Sequence, residues 1–162
     1  MRTRQMPSAE QQNTYPEQTG QELADIVSRL RRAMRRAARA ADPANALSVA
    51  QLELLSCLAE RPGLRPGELA RMLRLAASSV ATLLNGLQGA GHVTRTSSAS
   101  DRRGVSLHLT QTGQAAVVRW QQLNEQIIGT ALGTLPPRSQ AALHHATGAL
   151  HDLTSAIDAL AD

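Results

Sequence analysis

The sequence contains neither lysine nor phenylalanine, and it has one cysteine, one tryptophan and one tyrosine. With so few aromatic residues, the core has to consist of leucine, alanine, isoleucine and valine, which favours helices over a β-sandwich. A single cysteine, Cys57, excludes an intramolecular disulfide and suits a reducing compartment, so we expect a cytoplasmic protein. There is no apolar run of membrane-spanning length and no apolar segment of the signal-peptide kind, so we expect neither a membrane span nor secretion.

All 17 basic residues are arginine, and the formal net charge is +4. The charge is unevenly spread: residues 61–110 carry seven arginines and two acids, whereas residues 111–162 carry two arginines and four acids. A basic middle segment indicates a polyanionic partner, although a solvated basic face would produce the same pattern. Arginine suits a phosphate partner because its planar guanidinium donates two parallel hydrogen bonds.

The N-terminal part predicts a mobile arm at residues 1–18, followed by a long helix within residues 19–46. Thr19 and Glu22 match a capping box, so the helix is expected to start at Thr19 and to run to about Ala41, before Asp42-Pro43. Its apolar residues alternate in steps of four and three, a spacing typical of a helix packed along another: Leu23, Val27, Leu30, Met34, Ala37 and Ala41. Six arginines from Arg29 to Arg39 either oppose the helix dipole or contact a polyanion.

Three shorter helices are predicted within residues 47–110. Ser48 and Gln51 form a second capping box, Pro66 suits the first turn of the next helix, and Ser78 opens a helix that Gly91 ends in a left-handed conformation. In the first and third of these helices the residues expected to face inward are Leu52, Leu55, Leu58, Val80, Leu83, Leu84 and Leu87. In the short helix between them, apolar surface is supplied by Leu69, Ala70, Met72 and Leu73.

A β-hairpin follows these helices. Residues 105–109 alternate apolar and polar side chains, and residues 93–96 form a shorter β-leaning run. The polar tip between them contains one acid and two arginines: Asp101, Arg102 and Arg103. Thr110 is placed to cap a long helix. Two short helices joined by a tight turn, followed by a hairpin with a charged tip, predict a mainly α winged helix-turn-helix with a two-stranded β wing.

Three segments resemble the MarR family of bacterial transcriptional regulators: ALSVAQLELLSCLAE, RPGELARMLRLAASSVATLLNGLQGAGHVTR and DRRGVSLHLTQTG. The most specific element is the Asp-Arg-Arg tip followed by the alternating strand and Leu109-Thr110-Gln111-Thr112-Gly113. The layout is also similar, with a fifth helix from Gln111, a break at Leu135-Pro136-Pro137 and a last helix from Arg138 to about Leu160.

The resemblance implies a homodimer held by its N- and C-terminal helices, within residues 19–46 and 111–162. It further implies that the fourth helix enters the major groove of double-stranded DNA and that the wing lies along the minor groove. The DNA-binding residues that it implies are Ser78, Ser79, Thr82, Asn85, Arg74, Arg95, Arg102 and Arg103. Asp101 would shape the wing by holding a hairpin arginine such as Arg95. Two of these assignments have plain alternatives, because Ser78 could simply cap its helix and Arg74 could be a solvated turn residue.

The family resemblance also implies a ligand-responsive transcription regulator, most often a repressor, that binds a pseudo-palindromic operator. A small-molecule effector would bind between the dimer helices and the DNA-binding lobe, where Met34, Leu52 and Trp120 are candidates to contact it. Their spacing equally fits core positions, and the core interpretation is favoured.

No enzyme, metal or cofactor motif is recognisable. Cys57 lies beside an inward-facing leucine, which favours a packed thiol over a redox sensor. His144, His145 and His151 lack the further ligands that a metal site needs. Thr82 and Gly86 are uncharged where family members often carry a basic residue. This departure keeps a second hypothesis open, a winged-helix interaction or structural dimer without sequence-specific DNA binding.

Overall fold

A computed structural model describes residues 9–97 and 105–160 of the chain. Within them the fold is mainly helical, with one antiparallel pair of strands, which confirms the predicted winged helix-turn-helix class. The elements are α1 (Ala9–Ala41), α2 (Val49–Glu60), α3 (Pro66–Leu73), α4 (Ala77–Gly89), β1 (Val93–Ser97), β2 (Val105–Leu109), α5 (Gln111–Gly133) and α6 (Pro137–Ala159). The chain divides into two compact units, Met1–Asn45 and Ala46–Asp162.

The first unit contains α1, which begins at Ala9 and ends at Ala41. The predicted start at Thr19 is therefore wrong, although the predicted end is confirmed. Residues 9–18 contain two glutamates and three glutamines, which have high helix propensity, and the helix extends upstream through them and Pro16. Thr19 and Glu22 consequently lie one turn apart inside the helix instead of capping it.

In the second unit, α2 begins with the predicted capping box. The Ser48 N–H donates to Gln51 Oε1 at 2.8 Å, and the Gln51 N–H donates to Ser48 Oγ at 3.2 Å. The helix ends at Arg61, whose N–H donates to the Cys57 carbonyl oxygen at 3.0 Å. Both ends of α2 thus follow from local hydrogen bonds that its own residues supply.

Helix α3 is short and buries a narrow stripe. Pro66 occupies its first turn, and Glu68 Oε2 accepts a hydrogen bond from the Arg65 N–H at 2.7 Å. Leu69 is fully buried, whereas Met72 is 37% exposed. The difference has a geometric reason, because eight residues cover only about two turns and Met72 lies at the edge of the face centred on Leu69.

Helix α4 begins one residue earlier than predicted. Ala76 precedes the helix in an extended conformation (ψ 143°), and its carbonyl accepts a hydrogen bond from the Val80 N–H at 3.1 Å. Ser78 is therefore the second residue of α4, so its interpretation as the capping residue is wrong. At the other end, Gly91 has the predicted left-handed backbone (φ 73°), and the His92 N–H donates to the Leu87 carbonyl at 2.8 Å.

The base of the wing is hydrogen-bonded on both edges of β2. On one edge β2 pairs with β1 in the register Val93↔Leu109 to Ser97↔Val105. On the other edge the Gly63 N–H donates to the Leu107 carbonyl, and the Leu107 N–H donates to the Leu64 carbonyl, each at 3.0 Å. The wing therefore rests on the α2–α3 connection, which provides the support that an isolated hairpin lacks.

Thr110 joins α4, the wing and α5. Its hydroxyl accepts from the Gly113 N–H at 3.1 Å, which makes it the N-cap of α5 as predicted, and it donates to the Gly91 carbonyl at 2.6 Å. Its own N–H donates to the His92 carbonyl at 3.0 Å. One residue, through its hydroxyl and its backbone N–H, thus ties the end of α4 and the start of β1 to the start of α5.

The buried core is aliphatic, as the composition predicts, and α5 and α6 follow the predicted boundaries to within one residue. The core residues are Leu54, Leu55, Leu58, Leu69, Val80, Leu84, Leu87, Val93, Leu107 and Val117. In contrast, α6 has no buried residue, and Leu143, Leu150, Leu153 and Ile157 are exposed along it. The apolar side chains of α6 therefore have no cover within the described part of its own unit.

Candidate nucleic-acid interface

Helix α4 presents a polar face away from the core. Val80, Leu84 and Leu87 are buried in α4 and hold its opposite side. The residues on the outer face are all exposed, as predicted: Ser78, Ser79, Ala81, Thr82, Asn85 and Gly86. No charged residue occurs in α4, so this face can form hydrogen bonds only through hydroxyl, amide and backbone groups.

The outer face of α4 offers a small set of hydrogen-bond donors and acceptors to a partner. Thr82 Oγ1 donates to the Ser78 carbonyl at 3.0 Å, so its proton is engaged and its methyl group and lone pairs remain. Asn85 carries both donors and an acceptor, the combination that pairs with adenine in the major groove. No side chain caps α4, so the N–H groups of its first turn are available to an anion.

Arg74 lies in the turn between α3 and α4 with a left-handed backbone (φ 51°, ψ 41°). It is the only non-glycine residue with positive φ in the described part of the chain. Its N–H donates to the Arg71 carbonyl at 3.2 Å, which closes the end of α3, and its side chain is exposed. An arginine at a left-handed position costs about 1–2 kcal/mol relative to an ordinary helical conformation. The turn thus places a guanidinium beside the start of α4.

The wing carries the remaining predicted contacts. Arg95 lies in β1 opposite the buried Leu107, and its side chain is exposed. Asp101, Arg102 and Arg103 belong to the tip, residues 98–104, which lies outside the described residues. Minor-groove insertion by the tip arginines and the structural role of Asp101 therefore stay predictions.

Gln51 also lies beside the α4 face, although sequence reasoning assigned it only to the capping box. A Cβ placed on Gly86 would lie 3.3 Å from Gln51 Nε2, so the absence of a side chain at Gly86 lets this amide approach α4 closely. Gln51 Oε1 is engaged by the Ser48 N–H, which leaves the amide NH₂ on the α4 side. The capping pattern located Gln51 along the chain, but only the packing of α2 on α4 brings it to this face.

Residues 47–105 match the family model of the MarR family. Over this segment the chain is similar to the domain of that family, and we refer to residues 47–105 as the MarR-family domain. It contains α2, α3, α4 and β1, and so includes the turn and the outer helix face described above.

Solved structures of similar fold extend beyond this domain. A MarR-family protein from Bacillus stearothermophilus aligns with a TM-score of 0.71 and 19% identity, over 86% of this chain and 97% of that one. MarR from E. coli in its apo form aligns with a TM-score of 0.66 and 22% identity, over 79% and 96%. FabT from Streptococcus pneumoniae, solved in complex with DNA, aligns with a TM-score of 0.65 and 17% identity, over 87% and 98%. No curated protein matches the chain. The chain thus has the fold of MarR-family transcriptional regulators.

The candidate effector-binding residues are divided between the two units. Leu52, at the start of the MarR-family domain, is 2% exposed, and Trp120 in α5 is half-buried. Met34 belongs to α1 in the other unit and is half-buried. Their contact with a small molecule stays a prediction.

Cys57 is half-buried and packs against the core of the domain. Burial raises the pKa of its thiol, and the nearby Glu60 and Glu53 carboxylates raise it further. A raised pKa keeps the sulfur protonated and unreactive near neutral pH. These surroundings favour the packed-thiol interpretation of Cys57 over the redox-sensor one.

Two other observations concern α6 and the helices in general. The rings of His144 and His145 lie 5.8 Å apart between centroids, but the described residues contain no group of three or more histidine, cysteine or acidic side chains that could hold a metal. Among the same residues, no helix combines the length and apolarity needed to cross a bilayer.

Proposed function

We propose that the chain is a homodimeric, ligand-responsive DNA-binding transcription regulator, a repressor that binds a pseudo-palindromic operator. The observation that carries this proposal is the outer face of α4, a polar surface held outward by three buried residues in a helix-turn-helix. FabT, which has a similar fold, was solved in complex with DNA, and this supports the proposal. No catalytic step, metal or cofactor forms part of it.

In the proposed complex α4 lies in the major groove. Ser78, Ser79, Thr82 and Asn85 contact base edges or neighbouring phosphates, and Arg74 contacts a phosphate from the preceding turn. Arg95 lies near the DNA backbone, and Arg102 and Arg103 at the wing tip reach the minor groove, whose negative potential attracts guanidinium groups. Because α4 has no charged residue, sequence preference depends on hydroxyls and on the Asn85 amide.

Dimerisation would cover the apolar side chains on the terminal helices. In α6, Leu143, Leu150, Leu153 and Ile157 follow a spacing of seven, three and four, which forms one stripe along the helix. In α1, Val27 and Leu30 are also exposed. Fully burying such a side chain contributes about 1.5–3 kcal/mol, and because these side chains are already about half covered, each would add roughly half of that in a symmetric dimer.

A two-fold dimer has two α4 helices, which read half-sites about one turn of DNA apart, 34–36 Å. An effector between the dimer helices and the DNA-binding lobe, near Met34, Leu52 and Trp120, would release the operator by favouring a different spacing. It can do so only if it binds the two spacings with unequal affinity. We place the protein in the cytoplasm, where its DNA target lies.

Fluorescence anisotropy tests the proposal directly. A labelled fragment from upstream of the protein's own gene is titrated with protein at about 50 mM and 150 mM salt, in the presence of scrambled competitor. Binding that resists the competitor at both salt concentrations is the expected result. If the scrambled DNA competes equally well, and a genome-wide selection of bound fragments yields no common motif, sequence-specific regulation is ruled out.

The absence of charge on α4 favours one alternative, a winged-helix dimer that binds another protein or serves a structural role. The same titration separates the two functions. A sequence-specific regulator discriminates between operator and scrambled DNA, whereas an interaction module binds both weakly and to the same extent.

A further inference from the structure

Helix α1 carries a continuous stripe of arginines, which we call the arginine stripe: Arg29, Arg31, Arg32, Arg35, Arg36 and Arg39. All six side chains are exposed. At 100° per residue they occupy an arc of about 160° on the helix, and they extend about 15 Å along its axis. The apolar residues of α1 occupy a different arc, so a protein partner covering the apolar side would leave the arginine stripe in solvent.

The helix dipole does not account for the arginine stripe. A cation stabilises the negative end of a helix only within the last turn. Because α1 ends at Ala41, Arg39 is the only basic residue in that turn. The other five arginines lie farther from the C-terminus of α1, where the helix dipole no longer stabilises a positive charge.

The stripe is also electrostatically unfavourable for α1 itself. Arg31 and Arg35, Arg32 and Arg36, and Arg35 and Arg39 are each four residues apart, a spacing at which like charges repel. The acids of α1, Glu10, Glu17, Glu22 and Asp25, all precede Arg29. A concentrated positive charge of this kind is stabilised when an external polyanion neutralises it.

We propose that the arginine stripe is a second nucleic-acid contact, which binds the phosphate backbone of duplex DNA without reading its sequence. A 15 Å length of duplex carries about nine phosphates on its two strands, so the side of the duplex that faces the stripe offers several of them to its arginines. The proposal rests on the proposed DNA-binding function and adds to it a surface outside the MarR-family domain, residues 47–105. It assigns this part of α1 to affinity and salt dependence, and α4 to sequence preference.

The part of α1 that carries the arginine stripe has few of the side chains that binding to a membrane surface requires. Insertion into a bilayer interface needs bulky apolar side chains beside the basic ones. Between Arg29 and Arg39 the apolar residues are Leu30, Ala33, Met34, Ala37 and Ala38. Ala38 is buried, Met34 and Ala37 are half-buried, and Leu30 is the one bulky side chain that is more than half exposed. The bulky exposed residues Ile26, Val27 and Leu30 lie mostly before the stripe.

The test compares two variants of the full-length protein that lose the same charge. The stripe variant carries Arg32→Gln and Arg36→Gln, and the control variant carries Arg119→Gln and Arg138→Gln in α5 and α6. Glutamine keeps the helix propensity of arginine, so both should fold, and circular dichroism with thermal melting verifies this. The readout is the salt dependence of binding to an operator duplex and to a scrambled duplex, between 50 and 200 mM salt.

Log affinity falls as log salt rises, and each lost phosphate contact makes this slope less steep by about 0.9. Because the proposed dimer carries two stripes, the stripe variant loses four arginines per dimer. We therefore expect its slope to be less steep by up to about 3.6 on both duplexes, so that its affinity falls about 100-fold less than that of the wild type over this salt range. The control variant should keep the wild-type slope. Equal slopes in the two variants would overturn the proposal, because general charge would then explain the effect.

Two further outcomes also decide the matter. If the stripe variant binds both duplexes like the wild type but loses binding to phosphatidylserine vesicles, the stripe is a membrane contact and the proposal is wrong. If the stripe variant has the lower slope while operator and scrambled DNA bind equally, the stripe contact stands and the proposed sequence-specific function fails. Alternatively, the stripe variant changes the ratio of operator affinity to scrambled-duplex affinity and keeps the wild-type salt dependence. That result would contradict the stripe contact and leave α4 as the DNA-binding surface.

Discussion

Gly113 lies so close to the His92 carbonyl oxygen that a Cβ at this position would collide with it. The two residues are held together by Thr110, which caps the helix containing Gly113 and donates its backbone N–H to the same carbonyl. The close approach of α5 to the residue between α4 and β1 therefore requires glycine. The resemblance to a known family singled out Gly113, and the geometry supplies its physical reason.

Gly113→Ala should destabilise the protein, although alanine normally stabilises a helix interior by roughly 0.5–1 kcal/mol relative to glycine. The collision is with backbone, which cannot rotate away, so we expect a loss of about 2–3 kcal/mol in the free energy of unfolding. Urea denaturation measures it. Gly148→Ala in α6 is the matched control, because its new Cβ would meet nothing within 4 Å, and it should be neutral or stabilising. Similar effects of both substitutions would contradict the packing argument.

Asn85→Ala should reduce operator affinity by about 5- to 100-fold, the equivalent of about 1–3 kcal/mol for one bidentate base contact. Affinity for scrambled DNA should not change, because phosphate contacts are retained. Competition anisotropy provides both values. Gln122→Ala, which removes an exposed amide from α5, is the control and should leave both affinities unchanged. An equal loss on both DNAs would mean that Asn85 does not read bases.

Arg74→Gly should separate two properties of the α3–α4 turn, the backbone strain at residue 74 and the contribution of its guanidinium to DNA binding. Glycine removes the left-handed strain, so the free energy of unfolding should rise by about 1 kcal/mol, while loss of the guanidinium weakens binding to any duplex. Denaturant unfolding and anisotropy measure the two effects. Arg71→Gly, inside α3, should instead destabilise by about 1 kcal/mol. Unchanged DNA affinity in Arg74→Gly would identify Arg74 as a solvated turn residue.

Leu150→Glu should convert the proposed dimer to a monomer, because it places a charge in the middle of the apolar stripe on α6. Light scattering after size exclusion should then report the 17.3 kDa of one chain in place of twice that mass. Ser155→Glu adds the same charge on the opposite side of α6, as a control, and should leave the dimer intact. A dimeric Leu150→Glu protein would show that α6 does not supply the interface.

Cys57 should react slowly with thiol reagents in the folded protein, since burial and the Glu60 and Glu53 carboxylates raise its pKa. At pH 8 we expect alkylation to be much slower than in urea, where the thiol has its ordinary pKa near 8.5. The raised pKa also gives the sign of a stability effect. Above about pH 8.5 the unfolded chain loses the thiol proton first, so this site lowers folding stability as pH rises.

The control is Cys57→Ala. It should remove the contribution of Cys57 to the loss of folding stability at high pH. DNA binding by this variant and by the wild type should be equally insensitive to peroxide. If the folded wild type reacts as fast as the unfolded chain, or if peroxide releases its DNA, Cys57 is an accessible thiol and the packed-core interpretation is wrong.

Local patterns predicted much of the fold because the decisive interactions span three or four residues. The Ser48–Gln51 capping box, Pro66 in a first turn and the Thr110 cap are all of this kind, and each was confirmed, as was the strand predicted at residues 105–109. The outer face of α4 was also predictable, because helical periodicity separates its buried residues from its exposed ones. The family-like motif then indicated what that face contacts.

Other features depend on residues distant in sequence, and only the tertiary structure decided them. The start of α1 could not be located from Thr19 and Glu22, since a capping pattern inside a longer helix looks the same as one at its end. The collision of a Gly113 side chain with His92, the approach of Gln51 to Gly86 and the exposure of Met72 all result from how helices pack against one another. A short-range hydrogen bond depends on residues that are neighbours in the sequence, so the local sequence is enough to predict it. The distance between two helices or strands depends on every side chain of the core between them, so only the tertiary structure gives it.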